Sequence, residues 1–160
     1  MPLDLKYSSK DERLATKENR EHNTKEAFFT LEKREDQIHV LAEFPWTVRK
    51  ALLHCDPNFE RAKEKEAFQK SFYNYVKGNF SLKNKKDKPL ELVSVEEVSQ
   101  QGHSHQSNFK FRFQGTEFIK VYNELLFNIA TKQKNYHTIL IDGKSFEGIT
   151  SANTPNFILK

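Results

Sequence analysis

A chain of 160 residues has the size of one domain and is long enough to bury a core without help from disulfides or metal. Its formal net charge of +4 arises from 26 basic residues set against 22 acidic ones. Because both signs are spread through the same segments, the concentrated positive field of a nucleic-acid-binding domain is not expected. One cysteine, Cys55, excludes an internal disulfide framework and a cysteine-based zinc cluster, and no apolar run reaches the ~18 residues that a spanning helix needs.

Residues 1–26 are polar, with charges of both signs and only scattered apolar side chains (Leu3, Leu5, Tyr7, Leu14, Ala15), and are read as an arm outside the domain. Residues 27–160 are read as a single β-rich domain. With 14 Phe and 5 Tyr against an overall hydrophobic share of 36%, its core is expected to be aromatic-rich. AFFTLEKREDQIHVLAEF reads as two strands joined by the charged turn EKRED, with Ile38, Val40, Ala42 and Phe44 on one face.

Pro45 has no N–H to continue that pairing, and Thr47 is placed to cap a helix whose Val48, Ala51, Leu52 and Cys55 recur at helical spacing until Pro57. A second helix is predicted from about Glu60 to Lys77, with Phe68, Phe72, Tyr75 and Val76 on one stripe and Gly78 as its C-terminal cap. NFSLKN and LELVSVEEV, separated by the basic turn KNKKDKP, have the pattern of a second hairpin. NFKFRF then alternates Phe109, Phe111 and Phe113 with Lys110 and Arg112, as a half-solvated antiparallel strand does.

FIKVYNELLFNIA is read as strand from Phe118 to Tyr122 and as helix or bent strand from Glu124 to Ala130. YHTILIDGKSFEGIT gives two strands about Asp142-Gly143, a pair suited to the positive φ angles of a tight turn, and NFILK adds an edge strand. These elements predict an α+β protein that is mainly an antiparallel β-sandwich of Ig-like layers, with one or two helices inserted after the first hairpin.

Several strings together resemble a family of small exported bacterial proteins whose precursors begin with a signal peptide, a domain of unknown function. They are EAFFTL, EFPWTVRKALL, YVKGNFSLKN, GHSH ahead of a strand, and QKNYHTILIDGKSFE, so the resemblance runs from about Ala27 to Lys160. It implies export and a periplasmic or extracellular location, and it transfers no functional residue. MPLDLKYSSKDERLATKENREHN lacks the apolar core of a signal peptide, so that location requires a leader outside the given residues.

Candidate sites are few. His103 and His105 at i and i+2 would project to one side of an extended segment and offer two imidazoles to Zn, Cu or Ni, which is half of a coordination sphere. Trp46 stands at a strand-to-helix corner, where it would plug the end of the sandwich or wall a ligand pocket, and Tyr136 and His137 could line the same end. His54-Cys55 is no dyad, because adjacent helical residues do not face each other, and Cys55 falls on the apolar stripe.

The FKFRF alternation has the look of a base-stacking strand, yet its three phenylalanines share the face a core requires. With five glycines, no phosphate loop and none of the Gly-x-Ser-x-Gly or HExxH signatures, no residue is assigned a catalytic role. The expected function is a non-catalytic extracytoplasmic binding or accessory module whose partner is a protein or small ligand, not nucleic acid. The alternatives are a metal-handling protein and an enzyme of unrecognised type. If His103 and His105 bind metal, calorimetry detects stoichiometric Cu(II), Ni(II) or Zn(II) binding that His103→Ala with His105→Ala abolishes; a wild type that binds none of the three ends the metal reading.

Overall fold

The structure, a computed structural model, describes residues 25–45, 47, 48, 50, 51, 65–98 and 106–159. Its elements are β1 (Glu26–Arg34), β2 (Gln37–Pro45), α1 (Lys65–Asn79), β3 (Phe80–Lys83), β4 (Glu91–Glu97), β5 (Gln106–Gln114), β6 (Lys120–Asn123), β7 (Lys134–Ile141), β8 (Lys144–Ser151) and β9 (Asn156–Ile158). A six-stranded sheet has the order β4-β5-β2-β1-β7-β8 and a three-stranded sheet the order β3-β6-β9. Every neighbouring pair is antiparallel except β1 and β7, which run parallel.

Period-two alternation assigns the two faces of the large sheet. One unbroken row crosses all six strands as Phe146, Ile139, Leu31, Val40, Phe111 and Val95, and five of these six are buried, Phe146 being half-buried. The next row on the other face reads Glu147, Thr138, Thr30, Leu41, Lys110 and Glu96. The phenylalanines of NFKFRF therefore belong to the core, as their spacing predicts.

The cover over the apolar face comes from α1 and the small sheet. Phe72 of α1 stacks on Phe109 with ring centroids 4.0 Å apart, and Phe80 of β3 lies 5.8 Å from Phe29, 5.6 Å from Phe111 and 5.7 Å from Phe113. Such aromatic pairs each add about 0.5–1.5 kcal/mol beyond the area they bury. Tyr73 fastens α1 to the sheet edge by donating to the Leu92 carbonyl at 2.8 Å.

Backbone chemistry explains the turns. Glu35 between β1 and β2 has φ 57°, and Asp142 and Gly143 have φ 50° and 76°, the left-handed pair predicted for the last hairpin. After β2, Thr47 accepts from the amides of Lys50 and Ala51, and Val48 and Ala51 are buried, in line with the predicted helical stripe. Cys55 and the start predicted for the second helix lie outside the described residues.

Three predictions are corrected. NFSLKN and LELVSVEEV do not form a hairpin: β3 pairs with β6, and β4 pairs with β5. Pairing does begin, with Leu90 N–H donating to Leu82 at 2.8 Å, but Pro89 supplies no donor to extend it and the chain crosses to the large sheet. Gly78 stands inside α1, which runs to Asn79, whose side chain donates to the Tyr75 carbonyl at 2.8 Å and so answers one of the orphan groups of the helix end.

Residues Glu124–Ala130 are neither helix nor strand but a tight run of turns. Leu126 takes φ 73°, a strained conformation for a leucine, and is held there by its buried side chain and by its amide donating to the Tyr75 hydroxyl at 2.8 Å. Asn128 completes the connection, accepting from Tyr75 at 3.0 Å and donating to the Ala51 carbonyl at 2.8 Å.

Candidate functional site

The small sheet is shorter than the sheet it covers, and where the cover stops a cleft opens. Ile119 extends β6 by donating to the Lys83 carbonyl at 2.9 Å, and Leu159 extends β9 by donating to Ile119 at 2.7 Å. Opposite them lies the tip of the β7–β8 hairpin. The cleft between has a volume of about 560 Å³ and is lined by Phe118, Ile119, Ile141, Asp142, Lys144, Phe146 and Leu159. That volume lies within the ~300–1,000 Å³ typical of small-molecule sites, and five apolar side chains with two charged ones are the usual composition of such a site.

The charges are asymmetric. Lys33 Nζ sits 3.3 Å from Asp142 Oδ1, so the carboxylate at the rim is already answered. Among the described residues Lys144 has no carboxylate partner. Residues 144, 146 and 148 alternate to one side of β8, so the stem of Lys144 emerges on the same face as the Phe146 ring.

A second polar feature lies inside the core, centred on His137. Its Nδ1 is 3.0 Å from the Gly148 carbonyl, which only accepts, and its Nε2 is 2.9 Å from Asn123 Nδ2, which only donates. These partners assign the neutral tautomer with the proton on Nδ1. Asn123 Oδ1 accepts from Leu125 N–H at 3.0 Å and from Asn135 Nδ2 at 3.2 Å, Asn135 also donates to the Leu125 carbonyl at 3.0 Å, and Gln133 donates to Asn135 Oδ1 at 2.9 Å. The cluster thereby ties β6, β7 and β8 to the turn at Leu125.

Phe29 stacks on the His137 ring at 5.2 Å and Phe157 meets it edge-on at 5.1 Å, leaving no room for bulk water. Gly148 is required there, since a Cβ at that position would fall into the Phe157 ring. Burial pushes the His137 pKa down to about 4, against a smaller opposing effect of the Gly148 carbonyl. Two neighbours, Gln133 Oε1 and Thr150 Oγ1, are buried without a hydrogen-bond partner among the described residues.

The residues singled out from sequence do not converge. Tyr136 and His137 are consecutive in β7 and face opposite sides of the sheet: His137 is in the core, whereas Tyr136 stacks on Phe28 at 5.2 Å on the other face and donates to Glu26 Oε2 at 2.9 Å. Burial, reinforced by that bond, raises the Tyr136 pKa. Trp46, His103 and His105 lie outside the described residues.

The open face of the sheet carries His39, whose pKa is lowered by desolvation and then by Lys110, Arg34 and Arg112. A smaller groove of about 270 Å³ runs along it, lined in part by Thr30, Glu32, Arg34, His39 and Lys110. Among the described residues no three His, Cys, Asp or Glu side chains are grouped so as to hold a metal, and no helix is long and apolar enough to cross a membrane.

The cleft residues carried no sequence motif. The strands on either side of Asp142-Gly143 were legible, but nothing local shows that β6 and β9 end short of Ile141 and Phe146. Comparison with known proteins gives neither a matching family model nor a matching curated protein.

The His137 environment has a consequence for stability. A protonated ring would set a second N–H against the Asn123 amide donor, and turning that amide over would break its bond from Leu125 N–H. The unfolded chain takes up the proton near the ordinary value of 6.5 and the folded chain only near 4, so stability contributed by the neutral ring is complete above 6.5 and is lost as pH falls toward 4. Between about pH 7.5 and pH 5 this amounts to about 2 kcal/mol. Urea unfolding at the two pH values is expected to show that extra loss in the wild type relative to His137→Gln; equal losses would contradict it.

Proposed function

We propose that the protein is a non-catalytic binding or accessory module working outside the cytoplasm, a β-sandwich of Ig-like layers that seats a ligand in the cleft between the ends of its two sheets. The observation that carries this reading is the cleft itself, an open volume of about 560 Å³ with five apolar side chains in its walls. Apolar surface left open at the end of a core is costly in water, and a ligand that buries it recovers about 25 cal/mol for each Å² covered. The resemblance of the strings between Ala27 and Lys160 to small exported bacterial proteins supports the extracytoplasmic location.

The disposition of the ionisable groups favours binding over catalysis. His137 has both ring nitrogens engaged inside the core, while His39 and Glu43 stand on the opposite face of the sheet. General acid–base chemistry needs such groups within hydrogen-bond reach of one reacting atom, and the sheet separates them.

A neutral apolar fluorophore, N-phenyl-1-naphthylamine, tests the seat. It is expected to bind at one site per chain with enhanced emission, and Phe146→Asp or Leu159→Asp, each verified as folded by circular dichroism, is expected to weaken binding at least about tenfold, since each puts a charge against an apolar ligand. Absence of binding, or binding that survives both substitutions, would overturn the reading.

A further inference from the structure

We propose that the ligand of the cleft is an amphiphile with an apolar body and a single carboxylate head, and that Lys144 is the residue that holds the head. The proposal rests on the cleft being the ligand seat and adds the chemical class it takes. The apolar body follows from the walls, where the side chains of Phe118, Ile119, Ile141, Phe146 and Leu159 offer hydrocarbon and ring surface.

The head group follows from the charge count at the rim. Among the described residues three charged side chains gather there: Lys33, Asp142 and Lys144. Asp142 is held by Lys33 at 3.3 Å, which leaves the Lys144 ammonium as one positive charge without a counter-charge among the described residues. A cationic ligand would meet two ammonium groups against one carboxylate. A neutral ligand would leave Lys144 unanswered, and a dianionic head would bring one charge more than the rim can match. A monoanion balances it.

The backbone directs this ammonium to the mouth. Asp142 and Gly143 make the tight turn, Ile141 and Lys144 are cross-strand partners on either side of it, and Lys144 shares its face with Phe146. The lysine stem can therefore lie along the apolar wall while its charged end stays at the water boundary, the arrangement that a carboxylate with a hydrocarbon tail complements end for end. A carboxylate accepting from this ammonium at a half-open mouth is expected to gain about fivefold in affinity, the scale of a partly exposed ion pair.

The test is a matched pair, decanoate against decan-1-ol, each used below its aggregation threshold to displace N-phenyl-1-naphthylamine from the full chain. Decanoate is expected to displace at about fivefold lower concentration than decan-1-ol, with the advantage shrinking as salt is added. Lys144→Gln is expected to bring the ratio close to one, and Lys144→Glu to reverse it. Both substitutions fall on an exposed position, so folding is not at stake. Equal displacement by the two compounds in the wild type, a preference that persists in Lys144→Gln, or failure of decanoate to displace a bound fluorophore would each overturn the head-group assignment while leaving the cleft as a binding seat. A fluorophore that does not bind at all would overturn both.

Discussion

The inner face of the six-stranded sheet is the constraint from which the rest follows. Each of its strands contributes inward side chains that must leave water, and at about 25 cal/mol per Å² this burial is the dominant favourable term available to the fold. Phe72 and Phe80 are two points where the cover grips, Phe72 of α1 against the rings of β2 and β5 and Phe80 of β3 against those of β1 and β5. The cover is smaller than the face. Over β7 and β8 it is supplied by residues of β6 and β9, and it gives out at Ile141 and Phe146. The cleft is thus a direct result of laying three short strands over six longer ones.

The polar cluster at His137 shows how the two sheets are held at the side where aromatic packing thins. Asn123, Gln133, Asn135 and His137 are all buried, an arrangement that costs free energy unless nearly every donor and acceptor is answered. Their mutual bonds answer most of them, and the neutral imidazole is the hinge of the network because its two nitrogens play opposite roles. A hydrophobic replacement would pack there, but it would take away the acceptor of Asn123 Nδ2 and the imidazole donor to the Gly148 carbonyl. In exchange the cluster sets the register between β6 and β7, which are not hydrogen-bonded neighbours in either sheet.

Much of this was legible in the sequence because alternation along a strand is a local signal. Phe109, Phe111 and Phe113, the β1–β2 pair, and the Asp142-Gly143 turn were each readable from a few consecutive residues. Which strands become neighbours is not local. The pattern of NFSLKN and LELVSVEEV is that of a hairpin, and only Pro89 hints that pairing stops after Leu90. Tyr136 and His137 illustrate a different failure: treating adjacent strand residues as one lining ignores that they point to opposite faces. The stop of α1 was misplaced at Gly78 because Asn79 can answer a terminal carbonyl with its own side chain. The cleft was least legible, since it depends on how far β6 and β9 reach over β7 and β8, a tertiary length no short string encodes.

The central claim is that the end of the core left open by the short sheet is where the protein binds. Amide chemical-shift mapping of the full chain titrated with decanoate measures this most directly. The account predicts saturable shifts concentrated at Phe118, Ile119, Ile141, Lys144, Phe146 and Leu159, with little change along the open face at Leu41, Lys110 and Tyr136. Shifts centred on that open face, or none at saturating decanoate, would contradict it.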